Sequence, residues 1–319
     1  MAAETPSFPG ISSFYDWPVR DVPIRILNTA YTLQLYGGYP GFHHGLDLQA
    51  PAGTSVYSPV GGVVTMGYYY PRYRGPYTFE IAIHAPDGFV WQFHHLDPAS
   101  IPQELKKTAK NGEPISAGAL LGEIWDASKM GIPPHVHVNA ISPQGYYQEP
   151  MRYFPPVADQ EPPIIRGLYI VDGRNNVVGI GSTALKPGPY VLVIDAADQI
   201  PLSPLAQSIY GLNVSGKIVD QKGRVRTWNL VSRRFSVLPE KSFLDGVEKV
   251  YQLEPITLPN GTRLDNQLDP NQPRRFLYRV PLGSFARSPG DVHVLLSVVV
   301  SDFAGNKTRR EISFSVSNR

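Results

Sequence analysis

The 319-residue chain contains no cysteine. That removes disulfide bonds, thiolate nucleophiles and thiolate metal ligands together, so a metal centre here has to be built from histidine and carboxylate. No stretch approaches the ~20 apolar residues of a membrane-spanning helix, and the opening Met1-Ala2-Ala3-Glu4-Thr5-Pro6 lacks the apolar run of a secretion signal. Charge is sparse as well. Charged residues make up 18% of the chain, the formal net charge is +2, and Lys and Arg are scattered, which argues against a nucleic-acid partner. What is plentiful is turn-forming: 29 glycines and 32 prolines, a content that points to short β-strands and stays below the level of disorder. The length leaves room for two hydrophobic cores.

Six of the eight histidines fall in three separated stretches, His43-His44-Gly45-Leu46-Asp47, Phe93-His94-His95-Leu96 and His135-Val136-His137. Histidine and aspartate are zinc ligands, and a catalytic zinc takes three protein ligands with one position open. His135 to Ile141 alternates β-branched residues and reads as a strand, which puts His135 and His137 on one face and Val136 and Val138 on the other. Two imidazoles so placed can share one ion, or one can bind while the other acts on bound water. His43 and Asp47 lie four apart across Gly45, a small residue that lets both face one point.

Taken in order, His43-x-x-x-Asp47, Ala50-Pro51-x-Gly53-Thr54-x-Val56, Phe93-x-His95-Leu96, Gly118-x-x-x-Gly122 and His135-x-His137 resemble the LytM/lysostaphin-type zinc metallopeptidases, the M23 family. The resemblance runs over roughly residues 25 to 142, and several motifs in order are far more specific than any one. It implies that His43, Asp47 and His137 hold one zinc per chain, that His135 is the general base, and that His95, as an N–H donor, helps hold the transition state. It also implies that activity falls on acidification, since protons compete with zinc for the ligands. Two stretches depart from the family pattern: Ala127 to Pro134 replaces a Gly-rich turn, and Val138-Asn139 stands where Phe-Glu is frequent. Both bear on the groove wall and on substrate choice rather than on metal binding.

Other residues have blander readings. His44 and His94 neighbour proposed site residues, and strand alternation points His94 away from His95, so both are expected to be exposed or simply hydrogen-bonded. His84 and His293 read as structural. The Tyr-rich insertion Gly67 to Tyr77 either lines the groove or covers a sheet edge.

The expected architecture is mainly β. A LytM-type domain with an antiparallel groove sheet occupies residues 1–155, a Pro-rich linker 156–164, and a β-sandwich of immunoglobulin-like type 165–319. Strands are expected at Gly62 to Met66, Phe79 to His84, Phe89 to Leu96 and Ala119 to Trp125, with one short helix at Gln103 to Lys110. Beyond the linker they recur at Gly167 to Val171, Tyr190 to Ala196, Gly211 to Val219 and Val292 to Val300. A hairpin turn Asp302-Phe303-Ala304-Gly305-Asn306 leads to a last strand, Arg309 to Val316. Residues Arg234 to Arg275 lack periodicity.

Two function classes follow. The first is a zinc endopeptidase that cuts peptidoglycan peptides. The second is a non-catalytic relative that binds cell-wall peptide or regulates another hydrolase. All ligands and the base are present, which favours the enzyme. Such a substrate requires an exported chain, so we expect a signal peptide that this sequence does not include, and the C-terminal half is the place for a cell-wall or protein partner.

Overall fold

The computed structural model describes residues 14–70, 72, 74–178, 184–186, 188–269, 272–284 and 291–317. The start of the chain, and Pro71 and Tyr73 of the Tyr-rich insertion, lie outside the described residues. The first part holds strands β1 (Ile26–Asn28), β2 (Leu33–Tyr36), β3 (Tyr39–Phe42), β4 (Leu46–Gln49), β5 (Ser55–Tyr57), β6 (Gly62–Tyr68), β7 (Phe79–His84) and β8 (Val90–His94). Helix α1 (Gln103–Asn111) follows, then β9 (Pro114–Ile115), β10 (Leu120–Glu123), β11 (His135–Ile141) and β12 (Tyr147–Gln148). The main sheet runs in the order β1-β4-β11-β8-β7-β6-β9, and the pairs are antiparallel.

Period-2 patterning explains this sheet. Leu46 and Leu48 of β4, Ile81 and Ile83 of β7, Trp91 and Phe93 of β8, and Val136 and Val138 of β11 all enter one core. That leaves the alternate positions of β4, β8 and β11 for polar side chains on the opposite face. Helix α1 contributes Leu105 to the core and stops at Gly112, which takes the left-handed conformation (φ 68°) that glycine adopts without penalty.

Beyond the linker come β13 (Ile164–Val171), β14 (Val177–Val178), β15 (Pro189–Ala197), β16 (Gly211–Asp220), β17 (Val225–Arg234), β18 (Ile256–Thr257), β19 (Arg263–Leu264), β20 (Leu277–Ser284), β21 (Val292–Ser301) and β22 (Lys307–Val316). Two four-stranded antiparallel sheets, β14-β13-β15-β20 and β17-β16-β21-β22, bury a common core of Leu192, Ile194, Val280, Val214, Leu296 and Val298 among others. The mainly β expectation holds. The core also recruits Tyr31, Leu33 and Phe42 from the first part of the chain. The aperiodic stretch 235–275 explains the junction. Leu238 N–H donates to Tyr147 O (2.9 Å) and Phe42 N–H to Phe243 O (2.8 Å), so a segment with no period of its own is fixed by edges it meets elsewhere.

Candidate metal centre

The register of β4 against β11 sets the site. His137 stands opposite Asp47 and His135 opposite Gln49. His43 arrives from the turn before β4, its backbone held by His43 N–H to Thr32 O and Tyr31 N–H to His43 O (both 2.8 Å). Gly45 is required, and the reason is proximity rather than bending. A Cβ there would collide with the Asn139 side chain and the Val138 carbonyl and come within 2.9 Å of His137 Nε2.

Three ligand atoms converge. His137 Nδ1 is 2.7 Å from Asp47 Oδ1, and His43 Nε2 is 3.0 Å from both. Ligands ~2.0–2.2 Å from a tetrahedral zinc stand ~3.3–3.5 Å apart, so the cluster needs to open by about half an ångström to accept the ion. The tautomers fit as well. His43 donates Nδ1–H to Thr29 O (2.9 Å), which leaves its Nε2 lone pair facing Asp47. His137 Nε2 lies 2.8 Å from Asn139 Oδ1, and Asn139 Nδ2 lies 3.0 Å from Gln92 Oε1 and 3.2 Å from His94 Nε2. The amide is therefore oriented with its oxygen toward His137. An Nε2–H donated to that oxygen leaves Nδ1 as the metal-facing atom.

Two further imidazoles border the cluster. His135 gives Nδ1–H to Pro133 O (2.7 Å), and its Nε2 lies 3.7 Å from Asp47 Oδ1. His95 Nδ1 is 3.0 Å from Tyr77 O, the Tyr77 ring stacks on it at 4.5 Å, and the His95 and His135 ring centres are 4.8 Å apart. His94 does not point away from the site: it keeps the alternation of β8, on the face of Gln92 and opposite His137, and it is His95 that departs from it. Strand β8 ends at His94, and His95 takes φ +64°, a left-handed conformation uncommon outside glycine, so both rings lie beside His137. His94 is buried and hydrogen-bonded to Asn139, and His44 is stacked on Phe243 at 4.2 Å with Tyr36 Oη 3.1 Å from its Nδ1.

The electrostatics follow from burial and from one carboxylate. Asp47 is 3% exposed, and desolvation alone would push its carboxyl up, but the adjoining His43, His135 and His137 hold it well below the usual range. Burial likewise opposes protonation of His43, and Asp47 outweighs it and raises the imidazole. His137, His44, His94 and His95 are all lowered by burial first. The result is one ionised carboxylate among mostly neutral imidazoles, which is the protonation state a divalent metal requires.

Asn28, Thr29 and Arg274 carry no sequence signal of their own, yet they hold the candidate ligands; Asn139, expected to bear on the groove wall, instead orients His137, and Tyr77 of the Tyr-rich insertion holds His95. Asn28 Nδ2–H donates to Asp47 Oδ2 (2.6 Å), and Arg274, from the far part of the chain, donates to Asn28 Oδ1 (2.7 Å).

Residues 41–150 match the family model for peptidase family M23. Among solved structures, the SpoIIQ–SpoIIIAH pore-forming complex matches at 14% identity over 45% of this chain and 92% of that one, with a TM-score of 0.34. Csd3 of Helicobacter pylori matches at 19% identity over 46% of this chain and 36% of its own, TM-score 0.33. A zinc-containing peptidase from Vibrio cholerae matches at 20% identity, 47% and 41%, TM-score 0.33. The chain thus spans well under half the length of the last two. No curated protein matches it.

Proposed function

On the family match and the geometry of the cluster, we propose that this chain is a zinc-dependent endopeptidase that hydrolyses peptide bonds in bacterial peptidoglycan, in stem peptides or cross-bridges. The observation that carries this reading is the pairing of a three-residue cluster with two further imidazoles, His135 and His95, whose rings stand 4.8 Å apart beside it. His43, Asp47 and His137 would hold the ion, and zinc there would supply Lewis acidity that activates water near neutral pH and polarises the scissile carbonyl.

The chain's own part is proton handling and charge placement. With Nδ1–H committed to Pro133 O, His135 presents the Nε2 lone pair as a base toward the cluster and returns the proton to the leaving amine. His95 donates Nδ1–H to Tyr77 O, so its own donation toward the substrate oxygen requires a second proton on Nε2. Burial disfavours that proton in the resting site, and negative charge growing on the substrate favours it, so the contact strengthens toward the transition state. Export follows from the substrate, and no helix among the described residues is long and apolar enough to cross a membrane.

The test is digestion of purified peptidoglycan with mass spectrometry of the new amino and carboxyl ends. Wild-type chain should release defined peptides, His135→Ala should keep about one zinc per chain and lose turnover, and His137→Ala should lose both. Binding to the wall without new ends would instead establish the non-catalytic reading. Zinc-free protein at full activity would exclude the mechanism.

A further inference from the structure

A second group of metal-competent side chains lies where the linker meets the sandwich. Asp159 belongs to the linker, Asp198 follows β15, and Asp302 opens the turn between β21 and β22. One carboxylate oxygen from each lies within 4.8 Å of the other two. Asp198 is 2% and Asp302 1% exposed, and Asp159 is half-buried. Among the described residues, no Lys, Arg or His forms an ion pair with any of them, and no cation offsets their mutual repulsion. Burial, then the charges of Asp302 and Asp159, push the Asp198 carboxyl up to about 8.

An independent feature points to a missing ligand. Asp198 Oδ1 is fully buried and has no hydrogen-bond partner. The backbone that carries it is pinned, since Asp198 N–H donates to Gln207 O (2.9 Å) and Gln207 N–H to Asp198 O (2.7 Å). Asp302 is held too, accepting from Gly305 N (2.7 Å), Asn306 N (2.8 Å) and Asn306 Nδ2 (2.8 Å). The same Asn306 amide reaches Asp159 O at 3.1 Å and keeps the linker beside the turn. A buried carboxylate oxygen without a partner is costly, and native structures rarely keep one without an ion or water to satisfy it.

We propose that Asp159, Asp198 and Asp302 bind a calcium ion that fastens the linker to the sandwich. Three carboxylates form an all-oxygen, hard donor set, which suits calcium and disfavours metals that seek nitrogen or sulfur. Three oxygens ~2.4 Å from a common ion stand at most ~4.2 Å apart when evenly spaced, so a trio within 4.8 Å of one another needs only a small closing movement to hold calcium. Water completes the shell on the half-exposed Asp159 side. A dissociation constant of ~0.1–1 mM is expected, the range of extracellular modules.

The experiment uses the full zinc-loaded chain in calcium-free buffer, titrated with calcium chloride by calorimetry and followed by thermal unfolding. One calcium per chain should bind, and 10 mM should raise Tm by about 5 °C. Asp159→Asn, on the accessible linker, should fold normally and weaken binding at least ~10-fold, and Asp198→Asn should abolish it. The response should survive in His137→Ala, which separates this site from the histidine cluster. No binding heat and no calcium dependence of Tm would overturn the proposal. So would a response that vanishes in His137→Ala, or one that persists unchanged in Asp159→Asn and Asp198→Asn. An Asp198→Asn chain as stable without calcium as wild type is with it would show that the trio shares a proton instead.

Discussion

Replacing Asn28 with alanine should loosen zinc without unfolding the chain. Asn28 Nδ2 is 2.6 Å from Asp47 Oδ2, the oxygen turned away from His43 and His137, and so donates to the side of the carboxylate that faces away from the cluster. Its own oxygen is occupied by Arg274, whose side chain is 9% exposed. In Asn28→Ala the Asp47 carboxylate loses the contact that fixes its rotation, and a buried guanidinium loses its acceptor. Partners that orient a metal ligand are worth about 10- to 100-fold in affinity, or ~1.4–2.7 kcal/mol. The loss should appear as a 10- to 100-fold rise in the zinc dissociation constant, measured by competition with a chromophoric chelator at fixed pH. Unfolding in the metal-free state should move far less, since Asn28 sits at the end of a three-residue edge strand. Arg274→Met should show a smaller loss in the same direction, because Asn28 then stays in place but is no longer held. A dissociation constant within twofold of wild type in Asn28→Ala would refute the idea that Asp47 is positioned from outside the sheet.

Gly45→Ala should cost ~1–3 kcal/mol and weaken zinc binding together, because the added methyl displaces either β11 or the Asn139 amide that sets the His137 tautomer. An alanine variant equal to wild type in both chemical denaturation and metal affinity would contradict the close approach. Glu149 is 2% exposed, and burial pushes its carboxyl up to about 7 despite the Met151 N–H and the charges of His43 and Arg152. A folded pKa above the unfolded value of ~4.3 means that stability declines as pH rises from about 4.3 to about 7 and levels off beyond. Glu149→Gln should match wild type near pH 4.5 and exceed it by about 3 kcal/mol at pH 8 in urea melts; an equally steep decline in the variant would show that Glu149 is not the titrating group.

How much of this was legible depends on whether a feature is local. Period-2 alternation placed β7, β8, β11, β16 and β21, and the short helix expected at Gln103 to Lys110 matches α1 to within a residue. The histidine motifs identified the side chains that the structure gathers as His43, Asp47 and His137. Strands β2 and β3 escaped because Gly37, Gly38, Pro40 and Gly41 break the pattern, and the hairpin is held by contact with Phe243 and Leu244 far along the chain. The direction of His94 was misjudged because the two neighbours were assumed to alternate, whereas β8 ends at His94 and the left-handed conformation of His95 turns that ring back to the same side. Asn139 was noticed but assigned to the groove wall, and Asn28 and Arg274 were invisible, for a different reason. Their roles come from register and from a contact across 246 positions of sequence, and neither leaves a trace in composition or spacing.

Tyr31 and Phe42, both almost fully enclosed, belong to the sandwich's core although they flank the hairpin that leads into His43. Severing the chain at the linker would therefore not yield two working pieces. The amino-terminal fragment would carry bare aromatic rings, the carboxy-terminal one would have a hole where they had been, and the first would lose the guanidinium that steadies Asn28 beside Asp47. Such an architecture resists modular exchange: a recombination event that swapped only the amino-terminal portion would have to bring a matching hairpin with it, and natural variation here should travel as a single block.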